Sequence, residues 1–315
     1  MKSEQMRAAI QGVVRDAHPW WESRNVVGLC FAPKLQRGRR GEPVLQVHVR
    51  KKRALPKVPE KHRIPEFILH EGKRVWTDVH EVGEASLEML VSSARPTAPG
   101  YDVGDDDDCE GTIGCVVQSV STGERLGLSC AHVLVGPSGA SGDRIYCPSR
   151  QSASAIGASF GSARIGTLVD YRTPSPGQAS AYSNLDVATF RPGSPSDLVS
   201  EIALVGSAPQ GVRADVPIGT RVKKVGASTE LTFGEVQAVH WLAMLPYPLP
   251  DGTTEEVWFA DQIGISRFTA PGDSGALVLD ETTNAGIGLH LGSTTTLSIC
   301  TPISTVLSAL GVTLA

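Results

Sequence analysis

Aromatic residues are scarce in this chain: five Trp, five Tyr and seven Phe make up 5% of its 315 residues. Long apolar runs are missing as well. None approaches the roughly 20 residues that a helix needs to cross a bilayer, which excludes a helical membrane anchor of that kind. The first residues, Met1-Lys2-Ser3-Glu4-Gln5-Met6-Arg7, are not followed by an apolar core, so no signal peptide is expected. A cytoplasmic location with reduced thiols is expected instead. No sign of charge dominates, since 29 Lys+Arg face 33 Asp+Glu for a net charge of −4. The 6 cysteines, at 30, 109, 115, 130, 147 and 300, include no Cys-x-x-Cys pair, which argues against a zinc cluster. Buried free thiols are expected, although Cys115 and Cys130 flank one region. Glycine and proline, by contrast, are plentiful at 33 and 21. Many short strands joined by turns use residues in this way, and the length suggests two domains.

The most informative segment is Pro271-Gly272-Asp273-Ser274-Gly275. It sets a serine in a glycine-flanked turn, where two backbone N–H groups can point at one spot. Such fixed donors suit a serine that attacks a carbonyl, because the developing oxyanion must find them in place. A serine is a poor nucleophile at neutral pH and needs a base, which in turn needs an orienting group. His132 lies upstream in Leu128-Ser129-Cys130-Ala131-His132-Val133-Leu134, and Asp186 in Asn184-Leu185-Asp186-Val187-Ala188-Thr189-Phe190. About 54 residues separate the first pair and about 88 the second, in the order His, Asp, Ser. Taken singly, each feature has an ordinary explanation: a glycine turn, a structural His in an apolar segment, and an acid capping a strand. The three together point to His132 as base, Asp186 as its brace and Ser274 as nucleophile, with the N–H groups of Gly272 and Ser274 as oxyanion hole. A Ser-first hydrolase of the α/β type is disfavoured by this order and by Ala276, where its nucleophile elbow wants Gly.

These motifs resemble those of the chymotrypsin/trypsin-like serine peptidases. The resemblance implies a mostly β fold, a chymotrypsin-like double β-barrel preceded by a small α+β N-terminal domain, with no cofactor and no metal. The expected division is an N-terminal domain over 1–95, a linker over 96–111 and a two-barrel protease domain over 112–315. In the first part, helical spacing covers Ser3 to His18 and ends at Pro19, and strands are expected at Asn25–Phe31, Pro43–Arg50 and Trp76–Gly83. In the last part, one set of short strands runs from Thr112 to Phe190 and a second from Arg221 to Ile299, with a short helix at Ile303–Leu310. The linker carries Asp105-Asp106-Asp107-Asp108, read as a solvated acidic loop without the spaced ligands of a calcium loop. Ile64-Pro65, Thr77-Asp78-Val79-His80-Glu81-Val82-Gly83 and the stretch Lys224–Val236 are similar to bacterial relatives of the plant narrow-leaf protease. The latter stretch departs from that pattern at Ala227, Ser228 and Glu230.

Substrate choice is where the chain departs from trypsin. Enzymes that cut after Lys or Arg carry an acid six residues before the serine, and here that residue is Phe268. Secreted members often carry a cysteine after the histidine, and here it is Val133. Thr269 and His290, five residues before and sixteen after Ser274, look like the pair with which glutamyl endopeptidases hold a Glu or Gln side chain. A hydroxyl and an imidazole can both donate to a carboxylate or amide oxygen, and a buried polar pocket rejects side chains that leave it unpaired. The bland alternative is a satisfied strand histidine and a turn threonine. The partner expected is a protein or peptide substrate, with a regulatory protein conceivable. The basic stretch from Arg37 to Arg63 lacks interleaved aromatics, which argues against nucleic acid. The rival function is a latent or inactive protease-fold scaffold that acts by binding.

Overall fold

The structure is a computed structural model and describes residues 3–16, 18–36, 39–82, 90–107, 109–136, 139–249 and 253–315. It divides into two compact units, Met1–Leu87 and Glu88–Ala315. In the first unit, helix α1 (Ser3–Arg15) precedes strands β1 (Val26–Gln36), β2 (Arg39–Val49), β3 (Phe67–His70) and β4 (Lys73–Glu81). They form one sheet in the order β1-β2-β4-β3, with β2 and β4 parallel. Leu45, Val47 and Val49 of β2 alternate onto one face and join Val13, Trp20, Ile68 and Val75 in a small core. The short strand β3 was not legible beforehand: it is four residues long and, among the described residues, pairs only through the hairpin with β4.

The second unit is mostly β. It begins with β5 (Asp102–Gly104), β6 (Glu110–Thr112), β7 (Cys115–Ser119), β8 (Arg125–Ser129), α2 (Ala131–Leu134) and β9 (Arg144–Tyr146). Helices α3 (Arg150–Ile156) and α4 (Phe160–Ala163) and strands β10 (Arg164–Arg172) and β11 (Val187–Pro192) follow. Next come β12 (Arg221–Gly226), β13 (Glu230–Pro248), β14 (Thr254–Ser266), β15 (Leu277–Asp280), β16 (Gly286–Ser293) and β17 (Leu297–Pro302), then α5 (Ile303–Leu310) and β18 (Val312–Leu314). Strands β12 to β17 close into a barrel in the order β12-β13-β14-β17-β16-β15. The other module is an eight-stranded sheet, β18-β7-β8-β11-β10-β9-β5-β6. The C-terminal strand β18 thus crosses back to pair with β7. A core that includes Leu128, Phe190, Leu279, Leu289 and Val306 joins the two modules.

Three sequence expectations need correction. Residues 96–111 are not a linker: β5 and β6 lie in the eight-stranded sheet, and Thr97 bridges to Leu198. The acidic run is not simply a solvated loop. Asp105 is only 3% exposed, with its Oδ1 accepting from the N–H groups of Asp107 and Cys109, while Asp108 lies outside the described residues. Finally, β13 (19 residues) and β14 (13 residues) are far longer than the short strands expected between Arg221 and Ile299. Pro246 and Pro248 sit in the ladder between them, opposite Glu256 and Thr254. Proline is tolerated there because β12 pairs with β13 only over Glu230–Glu235. Beyond that point the hairpin is a two-stranded ribbon, whose outer edges need no N–H donor. Register shifts between Val236 and Ala243 mark where the ribbon bends away from the barrel ladder.

Candidate active site

Adjacent strands bring His132 and Asp186 together. β8 and β11 pair, with Ser129 opposite Ala188, and His132 follows the first strand while Asp186 precedes the second. His132 stands on α2, a single helical turn whose Ala131, Val133 and Leu134 are all buried. The apolar neighbours fix the turn while the imidazole itself stays 22% exposed. The Asp186 carboxylate is wholly buried. Its Oδ1 accepts the backbone N–H of His132 at 2.8 Å and the Tyr247 hydroxyl at 2.7 Å, while Oδ2 takes a short hydrogen bond from His132 Nδ1. An ionised carboxylate only accepts, so Nδ1 carries the proton and Nε2 of the neutral ring is left as the basic nitrogen. Burial alone would push the Asp186 carboxyl up, but His132 and the hydroxyl donor outweigh it and hold it below the usual range. Burial likewise pulls the imidazole down, and the Asp186 charge overcomes this to leave it raised.

Ser274 lies in the turn before β15. Gly272 and Gly275 have φ of +92° and +89°, a region open to glycine. Space excludes a side chain as well: a Cβ would come within 2.2 Å of Ser228 Oγ at Gly272 and of Ser129 Oγ at Gly275. The backbone donors of the turn can be followed one by one. The N–H groups of Asp273, Gly275 and Ala276 go to the carbonyls of Ala270, His290 and Asp273. Those of Gly272 and Ser274 meet no acceptor among the described residues. Thr112 holds the turn from the other module. Its N–H bonds Ser274 O at 2.8 Å, and its hydroxyl donates to Gly272 O at 2.8 Å and accepts from Ala227 N at 2.9 Å. The Ser274 hydroxyl itself makes a long, weak bond of 3.5 Å to Leu291 O, not one to the imidazole.

Beneath the turn lies a buried ion pair. Lys224 Nζ is 3.0 Å from Asp273 Oδ2, and both side chains are fully buried. Asp273 also accepts from the N–H groups of Ser228, Thr229 and Ala270 and from the Thr229 hydroxyl. Burial works against the charge on each partner, but these contacts hold the Asp273 carboxyl below its ordinary range. The Lys224 ammonium is pulled down by burial despite Asp273.

The residues singled out for specificity sit along β17. Thr269 Oγ1 and Ser298 Oγ are 2.6 Å apart, and His290 Nδ1 faces Cys300 Sγ at 4.0 Å. Residues 298 and 300 are two apart in one strand, so Thr269 and His290 line the same face of it. No hydrogen bond joins them to each other among the described residues. Burial pushes the His290 imidazole down to about 3, so it is uncharged near neutrality. Among the described residues one group could hold a metal ion: Cys130, His132 and Asp186 have ligand atoms within 4.8 Å of one another. Burial, however, keeps the Cys130 thiol protonated, and Asp186 is already saturated by three donors.

Three residues of this site were given no role by the sequence motifs: Thr112, Lys224 and Tyr247. Only Lys224 had a usable signal. In Arg221-Val222-Lys223-Lys224-Val225-Gly226 strand alternation puts it on the face of the fully buried Val222.

No family model and no curated protein matches the sequence. Similar solved structures include the Nocardiopsis protease NAPase, 19% identical over 69% of this chain and 99% of that one, with a TM-score of 0.48. Thermobifida fusca protease A is 20% identical over 70% of this chain and 99% of its own, with a TM-score of 0.47. A glutamic acid-specific serine protease, described as using a histidine triad in substrate binding, is 20% identical over 70% of this chain and all of its own, with a TM-score of 0.47. These structural neighbours are serine proteases of the chymotrypsin type.

Proposed function

We propose that this protein is a serine endopeptidase that cleaves peptide bonds through an acyl-enzyme. Ser274 Oγ attacks the scissile carbonyl as His132 Nε2 takes its proton, and the N–H groups of Gly272 and Ser274 receive the oxyanion. Collapse of the adduct expels the amine, which takes the proton back from His132. Water then attacks the acyl carbon as its proton passes to the same nitrogen, and collapse of this second adduct releases the acid while His132 returns the proton to Ser274 Oγ. The observation that carries this function is the double grip of Asp186 on His132, through ring and backbone together. It fixes both the tautomer and the direction of the imidazole. The two unused N–H groups beside Ser274 support the same function. Hydrogen bonds between nucleophile and base commonly tighten only when substrate is bound. The kinship with bacterial relatives of the plant narrow-leaf protease rests on the sequence motifs.

One observation favours a second role, a latent scaffold: the Ser274 hydroxyl is directed at Leu291 O rather than at His132. A fluorophosphonate probe separates the two. Covalent labelling at Ser274, abolished in S274A, is the expected result. A folded wild type that never labels would overturn the enzyme in favour of the scaffold.

Thr269 and His290 are proposed to hold a Glu or Gln side chain before the cut, because both present donors along one face of β17 while Phe268 offers no acid to a basic side chain. A peptide library showing Lys, Arg or large apolar residues at that position would reject them. The first unit is proposed to recruit or regulate. Its cavity of about 680 Å³ has Lys51, Lys52, Arg53 and Arg63 among its lining, which suits an acidic protein segment. Reversing Lys51, Lys52 and Arg53 to Glu should slow cleavage of protein substrates and leave short peptides untouched. Equal effects on both would count against recruitment.

A further inference from the structure

We propose that Tyr247 is a positioning residue of this reaction: its hydroxyl sets the orientation of Asp186 and the basicity of His132, so the β13–β14 ribbon must be seated for catalysis. The inference rests on the protease function above and goes beyond it, since it makes a residue outside the His-Asp-Ser set part of the machinery.

The geometry is specific. Tyr247 is 5% exposed and stands near the tip of β13, in the ribbon beyond the barrel ladder. Its hydroxyl reaches Asp186 Oδ1 at 2.7 Å, and its ring meets the His132 ring edge to face, with centroids 6.1 Å apart at 87°. The ring lies against Phe259, with centroids 6.3 Å apart, in one buried cluster with Ala243, Val257 and Leu291, so little freedom is left to the hydroxyl. The loop before Asp186 is tied to the same ribbon, with Asn184 Nδ2 donating to Trp258 O at 2.9 Å and Ala260 N to Ala181 O at 3.0 Å. The ribbon also walls a small cavity of about 90 Å³ beside His132, with Tyr247, Pro248 and Leu249 on one side. Substrate arriving next to the imidazole would therefore meet the tip that carries the hydroxyl.

The chemistry follows from sharing one negative charge. A carboxylate that accepts several donors divides its charge among them. Tyr247 takes part of the Asp186 charge that would otherwise fall on the imidazolium. Burial and the Asp186 charge push the phenol far above its ordinary range, so it donates at every working pH. Removing the hydroxyl leaves Oδ1 with a single donor in a site water does not reach. The imidazolium then gains attraction, and His132 holds its proton to higher pH while its brace loosens.

The test is the pH dependence of fluorophosphonate labelling, and of peptide cleavage, in wild type, Y247F and a variant with 3-fluorotyrosine at 247. In Y247F the midpoint of the acid limb should move up by about half a unit or more, and the plateau rate should fall about tenfold. Fluorotyrosine is the stronger donor and keeps the ring in place, so its midpoint should move down. It also serves if Y247F does not fold. I287V, which thins the separate barrel core of Val222, Val278 and Ile287, should lower the melting temperature and leave the midpoint alone. A buried tyrosine with a purely structural role would give Y247F and fluorotyrosine the wild-type midpoint, and that result overturns the proposal while leaving Ser274 labelled. If the wild type never labels, the protease function fails first and the role of Tyr247 with it.

Discussion

Replacing Lys224 with Met probes what keeps the Ser274 turn in shape. The ammonium and the Asp273 carboxylate are 3.0 Å apart with no solvent exposure. Deleting one partner of such a pair leaves the other buried and uncompensated, at a cost of about 3–5 kcal/mol. Asp273 keeps four other donors, those of Ser228, Thr229 (two) and Ala270, so the lower end applies, about 3 kcal/mol. For a unit of this size that is a fall of roughly 6–12 °C in the melting temperature of the larger unit. The dependence on pH has a definite sign. In the wild type the Asp273 pKa is depressed, so its contribution is present above the unfolded value near 3.9 and is lost as pH falls through the folded value. Without Lys224, burial dominates and the carboxyl is raised. The folded variant then gains by taking up a proton, so its deficit should shrink as pH falls from about 7 towards 4. A turn that has relaxed around Asp273 also loses the alignment of the Gly272 and Ser274 N–H groups, and labelling of Ser274 should slow by about 10²-fold. Thermal unfolding at stepped pH and probe kinetics supply both readouts. A K224M protein melting within about 2 °C of wild type, or a deficit that widens on acidification, would refute the reasoning.

Thr112→Val keeps the shape but strips a hydroxyl that serves Gly272 O and Ala227 N; it should cost about 1–3 kcal/mol in denaturant unfolding and slow labelling of Ser274. Asp186→Asn keeps the volume but presents an amide where His132 donates, so kcat should fall by about 10⁴ while KM changes little, measured on a peptide substrate. Because Asp186 raises the His132 pKa, wild-type kcat/KM should climb through a midpoint above 6.5, and a midpoint well below that would contradict the electrostatics. His290 is uncharged near neutrality, so between Gln and Glu before the cut the uncharged Gln should be cleaved faster at pH 8. A strong preference for Glu at that pH would require a cation in the pocket that these residues do not supply.

Much of this site was readable because its chemistry is encoded in contiguous turns. Pro271–Gly275 and the segment around His132 each carry their own backbone requirements, and an acid in the apolar run around Asp186 stands out against its neighbours. The overall β character was readable for the same reason, from alternation and turn residues. What could not be read is the set of groups that tune the site from a distance. Thr112 acts on residues 160 positions away, and Tyr247 on one 61 positions away. No local periodicity records such a pairing, since it exists only once two modules have folded against each other. The acid run misled for a related reason. Its local preference is for solvent, and tertiary context overrode it: Asp105 was drawn inside. The residues proposed as nucleophile, base and brace can therefore be legible in a sequence while the contacts that hold them are set elsewhere. Here Lys224 and Thr112 hold the turn and Tyr247 the carboxylate, each through a contact that folding alone creates.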